Sequence, residues 1–203
     1  MPRADQCGQG SIPSGPALNR SSAAPRRGSL RMPAHVSCSH VANEKGQAQM
    51  DDAIKKEALR LFTYGLYAIT TGDTEQRNSF TANWVSQVSF DPPLIVLSIE
   101  NDSVSLPIIR RTGLFAVNVY SADQRDLAGQ LGKSLAKHPE KVDGLAFGSG
   151  ETGCPVLLEC AAYVECRVQG EMPAGDSTLL LAQVAGATVL RRAEPLTMLA
   201  AGF

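Results

Sequence analysis

No apolar run in this 203-residue chain approaches the ~20 residues of a membrane-spanning helix, so no membrane partner is expected. The first residues also lack the apolar core of about 7–15 residues that marks a secretory signal, which argues for a cytoplasmic location. The five cysteines are odd in number and form no Cys-x-x-Cys, which argues against a disulfide framework and a zinc site. Cys160 and Cys166 share a face if their segment is a strand, and small buried apolar residues is their better account. Histidine is scarce. Of three, only His138 falls after residue 46, in a segment that reads as an exposed loop. No acid–base dyad, Ser/His/Asp set or metal cluster can be assembled. A chain short of protein nucleophiles suits chemistry carried by a cofactor.

Positive charge is missing where a nucleic-acid binder needs it. Residues 1–46 hold six Lys/Arg against two Asp/Glu, a net +4, whereas residues 47–203 hold thirteen against eighteen, a net −5. That acidic balance argues against a nucleic-acid partner. Residues 1–46 are rich in Ser, Pro, Gly, Ala and Arg without sustained apolar periodicity, and read as a disordered extension. Their Arg/Ser bias superficially matches a transit peptide but lacks its amphipathic helix; an upstream extension ahead of a start at Met50 is the other account. His35, Cys38 and His40 lie close together there, and chance explains them. Residues 47–203 suit one domain with ample length for a core.

What is present reads mainly as strands. Asp51 or Asp52 caps a helix running to about Phe62, with Ile54, Ala58, Leu61 and Phe62 on one side, and Gly65 ends it. Residues 66–71 form a strand, and Gly72-Asp73 opens the turn out of it. After Asp91-Pro92-Pro93 turns the chain, residues 94–99 are an apolar run of strand length. Residues 106–111 read as a short helix begun near Asn101 or Ser103 and ended by Gly113. A strand over 114–120 and a helix over 123–131, ended by Gly132, follow, with Arg125 as a surface residue. Residues 133–153 read as a long loop, 157–168 as a strand, 172–177 as a turn and 178–190 as a strand. Hairpins in series point to an antiparallel barrel.

Residues 78–105 hold the unusual pattern. With a period of two, Ser79, Thr81, Asn83, Gln87 and Ser89 share one face, and Phe80, Ala82, Trp84 and Val88 the other. No Lys, Glu or Asp occurs between residues 78 and 90. On pattern alone, this face is either the wet side of an antiparallel sheet or the lining of a polar, uncharged ligand. Trp84 likewise reads either as core or as flat cover for a ligand.

The order Thr81-Ala-Asn-Trp-Val-Ser-Gln-Val-Ser-Phe-Asp-Pro-Pro-Leu-Ile-Val-Leu-Ser-Ile99, then Asn101-Asp-Ser103, Gly113-Leu-Phe-Ala-Val-Asn-Val119 and Asp123-Gln-Arg-Asp-Leu-Ala-Gly129, resembles the flavin reductase family. The resemblance runs from about residue 64 to residue 190. It implies a mainly β protein, an antiparallel Greek-key split β-barrel with a few short helices, the FMN-binding split barrel. It also implies FMN, with NADH or NADPH as electron donor, and a homodimer with flavin near the interface. Reduced flavin would then serve a monooxygenase, free flavin or another acceptor. Ser79, Thr81 and Asn83, with the backbone of Phe80, Ala82 and Trp84, correspond to ring and ribityl contacts. Ser98, Asn101, Ser103 and Ser105 correspond to a second segment toward the ribityl–phosphate end, where hydroxyls and backbone N–H groups can hold phosphate without Lys or Arg.

One departure stands out. Many family reductases carry Gly-Asp-His before the last long strand, with the histidine linked to nicotinamide binding, and here that turn reads Gly175-Asp176-Ser177. The leading expectation is an NAD(P)H:flavin oxidoreductase. The alternatives are an FMN-binding electron-transfer protein without its own reductase activity and a cofactor-free barrel that acts as a binding module.

Overall fold

A computed structural model describes residues 51–73 and 76–203; the expectations for residues 1–46 and Met50 lie outside them. Asp51 caps the first helix, α1 (Asp52–Arg60), its carboxylate accepting from the Ala53 N–H at 2.8 Å. The helix forms as the capping pattern predicts, but none of its residues is buried, and Ile54, Leu61 and Phe62 stand open.

Strands β1 (Tyr67–Gly72) and β2 (Arg77–Ala82) form a hairpin in full register, from Tyr67 opposite Ala82 to Gly72 opposite Arg77. Gly72 sits at φ 145°, where a Cβ would meet the Gln76 carbonyl oxygen at 2.3 Å, so the turn needs glycine. Only Asn83 and Trp84 separate β2 from β3 (Val85–Phe90), which turns through Asp91-Pro92 into β4 (Pro93–Glu100). Helix α2 (Ser105–Thr112) ends on Gly113 at φ 69°, and β5 (Leu114–Val119) and α3 (Arg125–Leu131) follow.

The expected loop over 133–153 contains more order than its composition suggests. It holds a 3₁₀ turn (Pro139–Val142) and β6 (Phe147–Ser149), which pairs with β7 (Pro155–Leu157). The strand expected over 157–168 is two strands, because the chain turns at residues 158–161 before β8 (Ala162–Ala174). The turn expected over 172–177 shrinks to Gly175-Asp176, since β8 runs on to Ala174 before β9 (Ser177–Val189) returns. A short α4 (Met198–Ala201) closes the chain. Period-two patterns show strands, but they do not show where a strand stops without Gly or Pro.

The seven-stranded sheet has the order β2-β1-β5-β8-β9-β4-β3, with every pair antiparallel. Its two ends, β2 and β3, are neighbours in sequence. Three Cα steps of ~3.8 Å hold Ala82 and Val85 within about 11 Å of each other, so the sheet must roll into a barrel with a seam at Asn83-Trp84. The expected Greek-key split barrel with few helices is therefore the observed fold.

Inside the barrel lie Ile69, Leu97, Phe115 and Leu180, with Leu106 and Ile109 of α2. A second core under α3 joins Ala68, Tyr120, Leu131, Leu157 and Leu196. Strand β1 feeds both, which is why Ala68 to Thr71 are buried without alternation. Asn118 joins the layers. Its Nδ2 donates to the Ala68 carbonyl at 3.0 Å and to Thr70 Oγ1 at 2.9 Å, while its Oδ1 accepts from the Leu157 N–H at 2.8 Å. Asn118→Leu removes these partners inside the core and is expected to cost about 2–4 kcal/mol in urea unfolding; a loss under about 1 kcal/mol would show that this hub is dispensable.

Candidate functional site

The seam opens into a crevice of about 480 Å³. Asn78, Phe80, Thr81 and Ala82 of β2 form one wall, and Ser98 to Glu100 of β4 with residues 102–104 form another. Asn83 and Trp84 close the end, and residues 132–135 with Lys141 come in from the segment after α3.

Of the sequence-derived candidates, the crevice brings together Phe80, Thr81, Ala82, Asn83, Trp84, Ser98 and Ser103. Trp84 is not core: its side of the seam leaves it 51% exposed, a flat apolar cover, and its carbonyl accepts from the Ser98 N–H at 3.0 Å. Asn83 donates to Met198 Sδ at 3.3 Å, a weak acceptor that leaves the amide oxygen for other partners. Phe80 and Ala82 pack on the barrel core and give the crevice an apolar floor.

The two period-two faces do not separate at the crevice: Asn78, Phe80, Thr81, Ala82 and Asn83 all line it, whereas Ser79 is fully buried away from it. The Ser79 hydroxyl is buried with no hydrogen-bond partner. The Thr81 hydroxyl is committed to α3, donating to the Ala128 carbonyl at 2.7 Å and lying 2.9 Å from the Tyr120 hydroxyl. Burial pushes the Tyr120 phenol well above its ordinary value, so it stays protonated and donates to Thr81. A strand covered on both faces cannot announce from its own alternation which face is the site.

Asn101 and Ser105 are also diverted. Asn101 Nδ2 donates to the Gly175 carbonyl at 3.2 Å, and its Oδ1 accepts from Thr178 Oγ1 at 2.7 Å, which clamps the β8–β9 turn. Ser105 is buried and its hydroxyl accepts from Asn78 Nδ2 at 2.7 Å, fixing that amide at the crevice wall. Ser177 is buried too. Its hydroxyl donates to Asp176 Oδ1 at 3.0 Å, and it pairs in register with Glu100 on the crevice wall.

Sequence reasoning missed Asn78, Glu100, Asp102, Lys133, Ser134 and Lys141. Glycine 132 followed by Lys133 and Ser134 at a helix end was the one available signal, and only tertiary approach gives it meaning. A Cβ on Gly132 would come within 3.9 Å of Thr81 Cβ, so this segment lies close against β2. His138 points elsewhere, half exposed and 3.2 Å from Glu140.

Among the described residues, no cluster of three His, Cys, Asp or Glu side chains is placed to hold a metal. Cys154, Cys160 and Cys166 are buried in three different apolar clusters. Cys160 lies in a turn rather than on a strand face with Cys166. Burial, then nearby carboxylates, pushes all three thiols from an ordinary 9.0 up to about 12. They are inert at neutral pH. Unfolded thiols ionise first, so the stability held by these neutral thiols is full below about pH 9 and is lost as pH rises toward 12. At pH 8 a thiol reagent is expected to label these three positions only after unfolding, and urea midpoints are expected to fall between pH 9 and 11; labelling of Cys154, Cys160 or Cys166 in the native protein, located by peptide mapping, would contradict the burial.

The donor set fits a flavin. Neutral amides and hydroxyls, open backbone and an apolar floor match the ring and ribityl chain, and two lysines match an anionic end. Comparison with known proteins agrees. A family model described as flavin reductase like domain matches residues 59–203. An NADH-dependent FMN reductase of Streptomyces nodosus subsp. asukaensis is 32% identical over 133 residues, covering 64% of this chain and 70% of that protein. A probable flavin reductase of Rhizobium meliloti (strain 1021) is 30% identical over 135 residues, covering 66% of this chain and 42% of that protein. A high molecular weight rubredoxin of Moorella thermoacetica is 32% identical, with 70% of this chain and 62% of that protein covered. The chain thus spans between two-fifths and two-thirds of the length of the last two relatives. A solved flavin reductase in its native state superposes with a TM-score of 0.62 at 31% identity, covering 73% of this chain and 93% of the other. The flavin reductase component of a bacterial two-component tryptophan halogenase superposes at 0.64 and 27% identity, covering 72% and 92%.

Proposed function

The chain belongs to the flavin reductase like domain family, and from that premise we propose that it is an FMN-binding oxidoreductase driven by NADH or NADPH. The observation that carries the reading is the seam crevice, whose lining offers neutral donors, an apolar floor and an exposed indole. The crevice residues would hold the flavin, which would supply the two-electron redox chemistry that no described side chain provides.

The chain's own residues bind and orient. Phe80 and Ala82 form the apolar floor, and Trp84 supplies flat cover at the open end. Asn78 donates to Ser105 and accepts from the Ser79 N–H, which fixes that part of the crevice wall. Asn83, Ser98 and Ser103 add neutral hydrogen-bonding groups along the walls. None of these groups titrates near neutrality, so the lining keeps its hydrogen-bonding character across physiological pH.

A homodimer is part of the same proposal. Leu94, Val96, Leu179 and Leu181 alternate with buried residues on β4 and β9, forming a partly open apolar surface beside Trp84 and Met172. A hollow of about 460 Å³ there shares Asn83, Trp84 and Ser98 with the flavin crevice. A second copy seated on this face would cover both at once. The two-component halogenase reductase and a reductase subunit of a flavin-dependent monooxygenase among the relatives support a monooxygenase-type acceptor, and a cytoplasmic setting goes with it.

Ser177 keeps a second reading open. The family imidazole is replaced by a buried hydroxyl bound to Asp176, which carries no charge to a nicotinamide. An FMN-binding electron carrier reduced by another protein is that alternative. Anaerobic addition of NADH and then NADPH to the FMN-loaded protein separates the two. Bleaching of the visible flavin bands within a turnover time is expected, and bands that persist until dithionite is added would leave the carrier instead. Asn83→Leu is expected to weaken FMN binding about tenfold with no change in melting temperature, because its recorded side-chain contact is weak. Unchanged affinity would remove the link residue from the site.

A further inference from the structure

The thioether of Met198 sits against the link that closes the barrel. Two of the five methionines, Met172 and Met198, fall among the described residues. Met172 stands 58% exposed on β8. Met198 is half-buried and packs on the cluster of Leu66, Tyr120, Leu131 and Leu196, while its Sδ accepts from Asn83 Nδ2 at 3.3 Å. Its backbone is held as well. The Met198 N–H donates to the Tyr64 carbonyl at 2.9 Å, and Thr197 before it caps α4 by accepting from the Ala200 N–H at 3.1 Å. The turn that carries the sulfur is thus fixed beside Asn83.

A thioether is a weak acceptor, so this contact holds the Asn83 amide loosely and leaves it able to turn to a ligand in the crevice. Oxidation of the sulfur reverses that balance. A sulfoxide carries a polar oxygen in place of a bare sulfur lone pair. That oxygen lies within reach of the same Nδ2–H, and a hydrogen bond of ordinary strength then keeps the amide on Met198. It also sets a polar atom at the edge of an apolar cluster, which disfavours the present packing of α4 on the link. Access comes from the hollow of about 460 Å³ beside the crevice, whose lining includes Tyr64, Asn83 and Trp84. Tyr64 and Asn83 are the two residues that hydrogen-bond to Met198 there. The described thiols do not compete for an oxidant, because Cys154, Cys160 and Cys166 are buried and held protonated.

Resting on the flavin reading above, we propose that Met198 is an oxidation-sensitive modification site, whose conversion to the sulfoxide by hydrogen peroxide draws the Asn83 amide out of the crevice and weakens flavin binding. One oxygen atom passes from the peroxide to sulfur as the O–O bond breaks. Sulfur gives up two electrons, and the rest of the peroxide leaves as water. Hydrogen peroxide is the oxidant such a site meets, because dioxygen becomes hydrogen peroxide when it takes two electrons and two protons from a reduced flavin. A chain turning over without an acceptor thereby loosens its own hold on flavin. The change is reversible: a methionine sulfoxide reductase releases the oxygen as water while two thiols become a disulfide.

The test treats the full chain with hydrogen peroxide, locates added oxygen by peptide mass spectrometry, and measures FMN affinity by quenching of flavin fluorescence in wild type, Met198→Leu and Met172→Leu. Leucine keeps the apolar volume and offers no sulfur. Oxygen is expected on Met198 of the folded protein. FMN affinity is expected to fall about fivefold in wild type and in Met172→Leu, with cooperative melting retained and recovery after sulfoxide reductase. Met198→Leu is expected to bind FMN equally before and after peroxide, although its other methionines are oxidised. Oxidation of Met172 with Met198 untouched overturns the site, as does oxidised Met198 with unchanged affinity. A loss that survives in Met198→Leu places the effect elsewhere, and a loss of cooperative melting shows damage instead of a switch; either overturns the proposal. Should Met198→Leu fail to fold, Met172→Leu and the reductase decide: loss and recovery that track oxygen on Met198 support the switch, and loss that does not track it overturns it. Untreated wild type that binds no FMN sinks the flavin reading and the switch together, whereas FMN binding indifferent to Met198 oxidation sinks the switch alone.

Discussion

Two residues, Asn83 and Trp84, tie together the strands at opposite ends of a seven-strand order. That short link forces the sheet to roll, and the roll leaves a seam in which backbone and neutral side chains are not consumed by a continuous ladder. Everything at the candidate site follows from this. The indole at the link stays exposed because a seam has no second layer over it, and β2 and β4 face each other across the gap as two walls.

The layer under α3 makes the seam a site rather than a gap. Thr81 and Tyr120 fasten β2 to the Ala128 carbonyl, and that contact fixes where α3 ends. The 3₁₀ turn then folds back under the same helix end and carries Lys141 to the corner of the crevice. Polar groups are spent on architecture with little left over: Asn118 and Thr70 hold β7, and the Glu165 carboxylate accepts from the Glu151 and Thr152 N–H groups to hold the preceding loop. The Ser79 hydroxyl, buried and unpaired, is the exception beside the crevice.

This division leaves the reactive side-chain types among the described residues engaged in the architecture. The three described thiols are each sealed in apolar clusters, the one described histidine sits on an outer turn, and the buried Lys141 ammonium touches only carbonyls. Such an arrangement agrees with the proposed reading, in which a bound cofactor carries the redox chemistry, and with membership of the flavin reductase like family. Ser177 marks where this chain departs from many of its members, with a neutral hydroxyl bound inward where an imidazole is expected.

Local patterns determined a good deal. Asp51 caps α1, Gly72, Gly113 and Gly175 mark turns or ends, and alternating apolar residues located most strands, because these features depend on backbone conformation and nearest neighbours. The uncharged run over residues 78–90 also borders the seam crevice, which residues 78 and 80–84 line. Tertiary structure alone decided which of those residues face the crevice, because each polar side chain chooses among partners far away in sequence. Asn78 meets Ser105 27 residues on, Thr81 meets Ala128 47 residues on, and Asn101 meets Thr178 77 residues on. The period of two places such groups on a face but not on the site side of it, and a lysine 57 positions after Trp84 enters the site only once the barrel has closed and α3 has docked. Backbone preference is a short-range property of the chain; the competition for hydrogen bonds and burial that builds the site is settled only by packing.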